Sequence, residues 1–258
     1  MQKFPKIPAI CMICFALSGG SAIVIAQQPV VVELFTSEGC SSCPPADALL
    51  TSLSRQRTSA GGMELILLGE HVEYWNDLGW RDRFSASTYT QRQYDYVRHL
   101  HLATAYTPQV VIDGRLQTVG SDSAAVQRMI AESARSNKPA TVNLTLVAPG
   151  KLHVKVVVSG SGKEQVLLAI TEDNLNTTVQ AGENGGRVLT HNAVVREFDP
   201  LGWVANGRFD KDVGLPGPRG WKPQDVRVVV LVQDAHSGVI LGAASVPFES
   251  ASPAAKGR

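Results

Sequence analysis

Cys40 and Cys43 stand where one backbone period gives way to another. Before them, Val30 to Phe35 is a short β-branched and apolar run, and Thr36-Ser37-Glu38-Gly39 follows as a loop. After them, Leu49, Leu50 and Leu53 recur at helical spacing. The pair therefore opens a helix directly after a buried strand. Unpaired N–H groups and the helix dipole at such a start favour a thiolate on the first cysteine. The spacing makes Cys40 the nucleophile and Cys43, one turn later, the residue that resolves a mixed disulfide.

The cysteine count sharpens this. The chain has four cysteines, and Cys11 and Cys14 lie in an N-terminal stretch with Lys3, Lys6 and an apolar run from Ile7 to Ile25. That stretch reads as a signal peptide over residues 1–26, with a cleavage site at Val24-Ile25-Ala26. Its removal leaves Cys40 and Cys43 alone, in a periplasmic or secreted protein where disulfides persist. It also takes Lys+Arg from 24 to 22 against 23 Asp+Glu, a formal charge of −1. Nucleic acid is not an expected partner, and no later segment is apolar enough to span a membrane.

Further along, Met63 to Leu68 reads as a second buried strand, and residues near Ser85 to Leu100 as a helix. Asp113-Gly114 is a tight turn between Gln109 to Ile112 and Leu116 to Val119. Ser121 or Asp122 caps a helix carrying Val126, Met129 and Ile130. This order of strands and helices matches the thioredoxin fold. From Thr141 the pattern changes to short alternating strands, including Gln165 to Thr171, Arg187 to Phe198 and Val226 to Gln233. The expected architecture is α/β: a thioredoxin-like domain over residues 29–137, a linker at Lys138-Pro139, a small β-sandwich-like domain over 140–248, and a disordered tail over 249–258.

Other residues join the cysteines as candidates. Pro108, after Thr107, begins the strand where a thioredoxin fold places a cis proline, and the two would shape a docking groove. Glu33, an acid inside an apolar strand, either shuttles the proton of Cys43 or is paired on the sheet. Trp75, with Tyr74 and Trp80, forms an apolar lip for a polypeptide or the core of its own segment. His71 either packs on Trp75 or joins Cys40 and Cys43 as three donors suited to copper(I) or zinc. The Gly182-Glu183-Asn184-Gly185-Gly186 run fits neither a phosphate loop nor a dinucleotide fingerprint, so no cofactor is expected.

The strings VELFTSEGCSSCPPAD, HVEYWNDLGWRDRFS, YTPQVVIDG and GENGGRVLTHNAVVRE resemble the exported thioredoxin-like proteins grouped as domain of unknown function 1223. The resemblance covers residues 29–248 and implies a thioredoxin-like domain with an appended β domain, with no assigned role. Gly39 stands where thioredoxins carry tryptophan, and Ser41-Ser42 replaces their Gly-Pro. Glu38 disfavours a thiolate at Cys40, while the serine hydroxyls and the helix start favour one, so the direction of exchange stays open. The expected function is thiol-disulfide exchange with thiols or disulfides of exported proteins. The alternatives are metal delivery through the same cysteines, and an interaction protein in which they form a fixed clip.

Overall fold

The computed structural model describes residues 28–58, 62–160, 162–217 and 220–248. The expected signal peptide over residues 1–26 and the expected disordered tail over 249–258 lie outside the described residues. Among the described residues strand accounts for 43% and helix for 19%, so this part of the protein is mostly β.

The first half contributes β1 (Val30–Thr36), α1 (Pro44–Gln56), β2 (Leu65–His71), α2 (Ser87–His99), β3 (Gln109–Ile112), β4 (Leu116–Val119) and α3 (Ser123–Ser133). Local chemistry explains the boundaries. Proline at the first position of α1 lacks only an N–H that would be unpaired there. Asp122 caps α3, its Oδ1 accepting from Ala125 N at 2.9 Å. Asp113 and Gly114 both take positive φ, 49° and 67°, as a two-residue hairpin between β3 and β4 requires.

The second half adds β5 (Ala140–Ala148), β6 (Lys151–Val158), β7 (Glu164–Glu172), β8 (Leu175–Thr178), β9 (Val188–His191), β10 (Val194–Trp203), β11 (Arg208–Gly214), β12 (Val226–Asp234) and β13 (Ile240–Pro247). The run from Arg187 to Phe198 is two strands, because Ala193 turns the backbone at φ 53°.

The expected fold class is overturned by the sheet order. A single mixed sheet runs β13-β12-β7-β10-β2-β1-β3-β4, so a thioredoxin-like α/β domain followed by a separate β-sandwich-like domain is not what forms. The join is at β2, whose outer edge pairs in parallel with β10 through Val194 and Gly69. An exposed strand edge is a row of unmet hydrogen-bonding groups, and here the second half of the chain meets it. A three-stranded sheet, β11-β6-β5, and a hairpin, β8-β9, complete the strands.

Alternation along β1 sends neighbouring residues into different cores. Val30, Val32 and Leu34 pack with Ala46, Leu50 and Leu53 of α1 and with Val126 and Ile130 of α3. On the other face Val31 joins Ile66, Leu68 and Tyr89 of α2, together with Leu167 and Leu231. Val154 and Val156 of the small sheet pack against Leu168, Val228 and Val230 of the large one. Each Val, Leu or Ile among them contributes roughly 1.5–3 kcal/mol on burial. Lys138, expected in a linker, is buried and ion-paired to Asp113 at 2.6 Å.

Candidate functional site

Cys40 and Cys43 form a disulfide at the carboxyl end of β1, with Cα atoms 5.4 Å apart. The turn is held by Cys40 N donating to Ser37 O at 3.1 Å and Cys43 N donating to Cys40 O at 3.2 Å. Cys43 is the residue from which α1 starts, its carbonyl accepting from Ala46 N and Asp47 N. Both cysteines are fully buried, whereas Ser41 and Ser42 between them are exposed. Ser42 Oγ lies 3.4 Å from Cys40 Sγ, within reach of a sulfur hydrogen bond.

Asp47, one helical turn past Cys43 and so on the same side of α1, is buried. It accepts from Thr36 Oγ1, at the end of β1, at 2.9 Å. Burial pushes its carboxyl above the ordinary 3.8, with His191, His71 and Thr36 offsetting only part of the shift. Asp47, Thr36, His71 and His191 line a small gap under α1, and Asp47 also reaches the wider groove between α1 and β9.

Four further buried titratable groups back this carboxyl: Glu38, His71, Asp82 and His191. His71 Nδ1 stands 2.6 Å from Asp82 Oδ2. The same oxygen accepts from Glu38 N at 2.8 Å, and Asp82 Oδ1 accepts from Phe84 N at 2.9 Å. Burial alone would lower the pKa of His71, but Asp82 raises it above the ordinary 6.5. Burial alone would raise Asp82, yet His71 and the two backbone N–H groups hold it below 3.8. Glu38 Oε2 accepts from Trp80 Nε1 at 2.8 Å. His191 Nε2 faces Glu38 Oε1 at 3.4 Å, close enough for attraction though neither ring nitrogen is hydrogen-bonded. Against its burial, these neighbours hold Glu38 below the ordinary 4.5. The rings of His71 and His191 meet edge to face at 4.9 Å.

The residues expected from sequence fall into three groups. Trp75 Nε1 donates to Thr107 Oγ1 at 2.8 Å, and a Cβ on Gly39 would meet Trp75 Cβ at 3.1 Å. Trp75 thus joins Thr107 to the cysteine turn, and the Thr107–Pro108 bond is cis. Glu33 belongs elsewhere, on the α2 side of the sheet, where its carboxylate accepts from Arg92 Nε at 2.6 Å and Tyr96 OH at 2.6 Å beside Glu70. His71 is committed to Asp82 and to the rings of Phe84 and His191. Among the described residues no three His, Cys, Asp or Glu side chains are grouped to hold a metal ion, so the trio with Cys40 and Cys43 is not assembled.

Sequence reasoning missed Asp47, Asp82, His191, Glu183 and Asn184. Asp47 had one signal, since an acid four residues after Cys43 must share its helix face. Asn184 Nδ2 donates to Glu38 O and to Cys40 O, each at 2.9 Å, and Glu183 Oε2 accepts from Ser41 N at 3.1 Å. The glycine-rich run, which by its spacing fits no phosphate loop or dinucleotide fingerprint, lies against the cysteine turn.

The chain is similar to a crystallised protein of Agrobacterium tumefaciens, at 29% identity and a TM-score of 0.68, over 85% of this chain and 94% of that one. It also shares its fold with HBP35 of Porphyromonas gingivalis, at 17% identity and a TM-score of 0.65, over 90% and 79% of the two chains. No curated protein matches it. The family model described as protein of unknown function (DUF1223) matches residues 31–233, and the chain belongs to that family.

Proposed function

We propose that this protein exchanges disulfides with cysteines of exported proteins through Cys40 and Cys43. The observation that carries the reading is a connected set of five buried titratable side chains, Glu38, Asp47, His71, Asp82 and His191, of which Glu38 lies two residues before Cys40 and Asp47 four residues after Cys43. Burying ionisable groups costs free energy that a structural clip has no use for, and shifted pKa values gather where protons must move.

In the oxidising direction, a client thiolate attacks Cys40 Sγ and the Cys40–Cys43 bond breaks with its electron pair on Cys43. Cys43 takes a proton, for which Asp47, one turn along α1, is the nearest buried acid on that helix. A second client thiolate then attacks the client sulfur of the mixed disulfide, and Cys40 leaves as a thiolate. The client loses two electrons and the cysteine pair gains them; reduction runs the same steps backwards. Ser42 Oγ and the start of α1 stabilise the Cys40 thiolate.

The full burial of both cysteines favours a second reading, a fixed clip. Glutathione titration of the Cys40–Cys43 pair separates the two. A pair that equilibrates with glutathione at a potential between roughly −270 and −120 mV supports exchange, and one below about −300 mV is a clip.

A further inference from the structure

The cysteine turn is exposed only at Ser41 and Ser42, and a loop from the second half of the chain closes over it. This loop, residues 179–187, joins β8 to β9. Its Asn184 is fully buried although the residues on either side are exposed. Gly182, at φ 73°, backs onto Trp80, where a Cβ would meet Trp80 Cβ at 3.1 Å. Arg187 fixes the carboxamide from behind, donating to Asn184 Oδ1 at 2.8 Å.

The groups that the loop satisfies are all backbone: the carbonyls of Glu38 and Cys40 and the N–H of Ser41. The carboxamide supplies the N–H donors, and the Glu183 carboxylate supplies the acceptor. An extended polypeptide carries the same donors and acceptor on its main chain. A small dithiol such as dithiothreitol has two hydroxyls but no chain of peptide amides spaced to meet all three groups while its thiol attacks. Resting on the exchange reading above, we propose that Glu183 and Asn184 are a latch standing in for the backbone of an extended, cysteine-containing polypeptide, which opens the site by replacing them. The substrate class is thus an unfolded or locally extended chain bearing two thiols.

The test compares two dithiols as reductants of the full chain: dithiothreitol, which has no amide, and a synthetic twelve-residue peptide with two central cysteines. The latch requires the peptide to react at least tenfold faster than dithiothreitol. In Asn184→Ala the dithiothreitol rate should rise about tenfold, and the peptide's advantage should shrink. Glu183→Gln, changed at an exposed side chain, should raise it two- to threefold. Thermal melting establishes that each variant is folded, and if Asn184→Ala is not, Glu183→Gln decides alone. Dithiothreitol rates equal to the parent's in the folded variants, with exchange intact, overturn the latch only. A disulfide that neither dithiol reduces in any of the proteins overturns the latch and the exchange reading together.

Discussion

His71 Nδ1 and Asp82 Oδ2 face each other across 2.6 Å in a region where the two side chains are 1% and 0% exposed. Their pKa values move apart, His71 above 6.5 and Asp82 below 3.8, so both are charged throughout the interval between. The sign for stability follows. The raised histidine contributes fully below its unfolded pKa and loses its contribution as pH rises through the folded one. The lowered aspartate contributes above its unfolded pKa and loses its contribution as pH falls through the folded one. The pair is strongest between about pH 4 and 6.5. Asp82→Asn should lower stability by about 3 kcal/mol in that window and by less above it. Denaturant melts at pH 5.5 and pH 9 measure this; an equal loss at both would mean the pair is not ionised.

Asp47 is the buried acid on the face of α1 that also carries Cys43. If it supplies the proton of Cys43, Asp47→Asn should slow disulfide reduction by about a hundredfold, within the range of general acid–base effects. The rate should also lose the pH dependence that Asp47 gives it. Stopped-flow reduction across pH 4 to 8 reads both, and a parallel profile at an unchanged rate would remove Asp47 from the chemistry.

The two cysteines have different duties, and a trap distinguishes them. Cys43→Ser should accumulate a mixed disulfide between Cys40 and an exported client, because nothing resolves it, whereas Cys40→Ser should accumulate far less. Non-reducing electrophoresis with mass spectrometry of the adducts makes the comparison. Equal adduct formation by both variants would contradict the assignment of nucleophile and resolver.

On the other face of the sheet, Glu70 is held well above its ordinary 4.5 by burial and by the neighbouring Glu33, against the pull of Arg92. A carboxyl with a raised folded pKa binds its proton more tightly when folded, so stability falls as pH rises past its unfolded value. Glu70→Gln keeps the shape and removes that penalty. It should raise stability at pH 7 by about 1–3 kcal/mol and flatten the decline between pH 5 and 8. Melting curves over that range test it, and a destabilised variant would show that the Glu70 charge is needed to balance Arg92.

Local chemistry was legible wherever the deciding interactions lie close together in sequence. The change of period at Cys40 and Cys43, the Asp113-Gly114 turn and the Asp122 cap each rest on neighbours within a few residues, and all three form. Glu33 was recognised as unusual, yet its partners Arg92 and Tyr96 lie 59 and 63 positions away, so its role was not readable.

The sequence by itself determined the strands and helices of the first half and the position of the disulfide at the start of α1, because hydrophobic period and capping act over single turns. Only the tertiary structure decided that β10 would take the open edge of β2 and make one sheet of two segments. That pairing brings His191 beside Glu38 and Asn184 onto the Cys40 carbonyl, 144 positions away in the chain. The physical reason is that a strand edge presents the same backbone groups to every candidate neighbour. Which strand pairs with it depends on how all the apolar faces are buried at once, a property that no single segment carries.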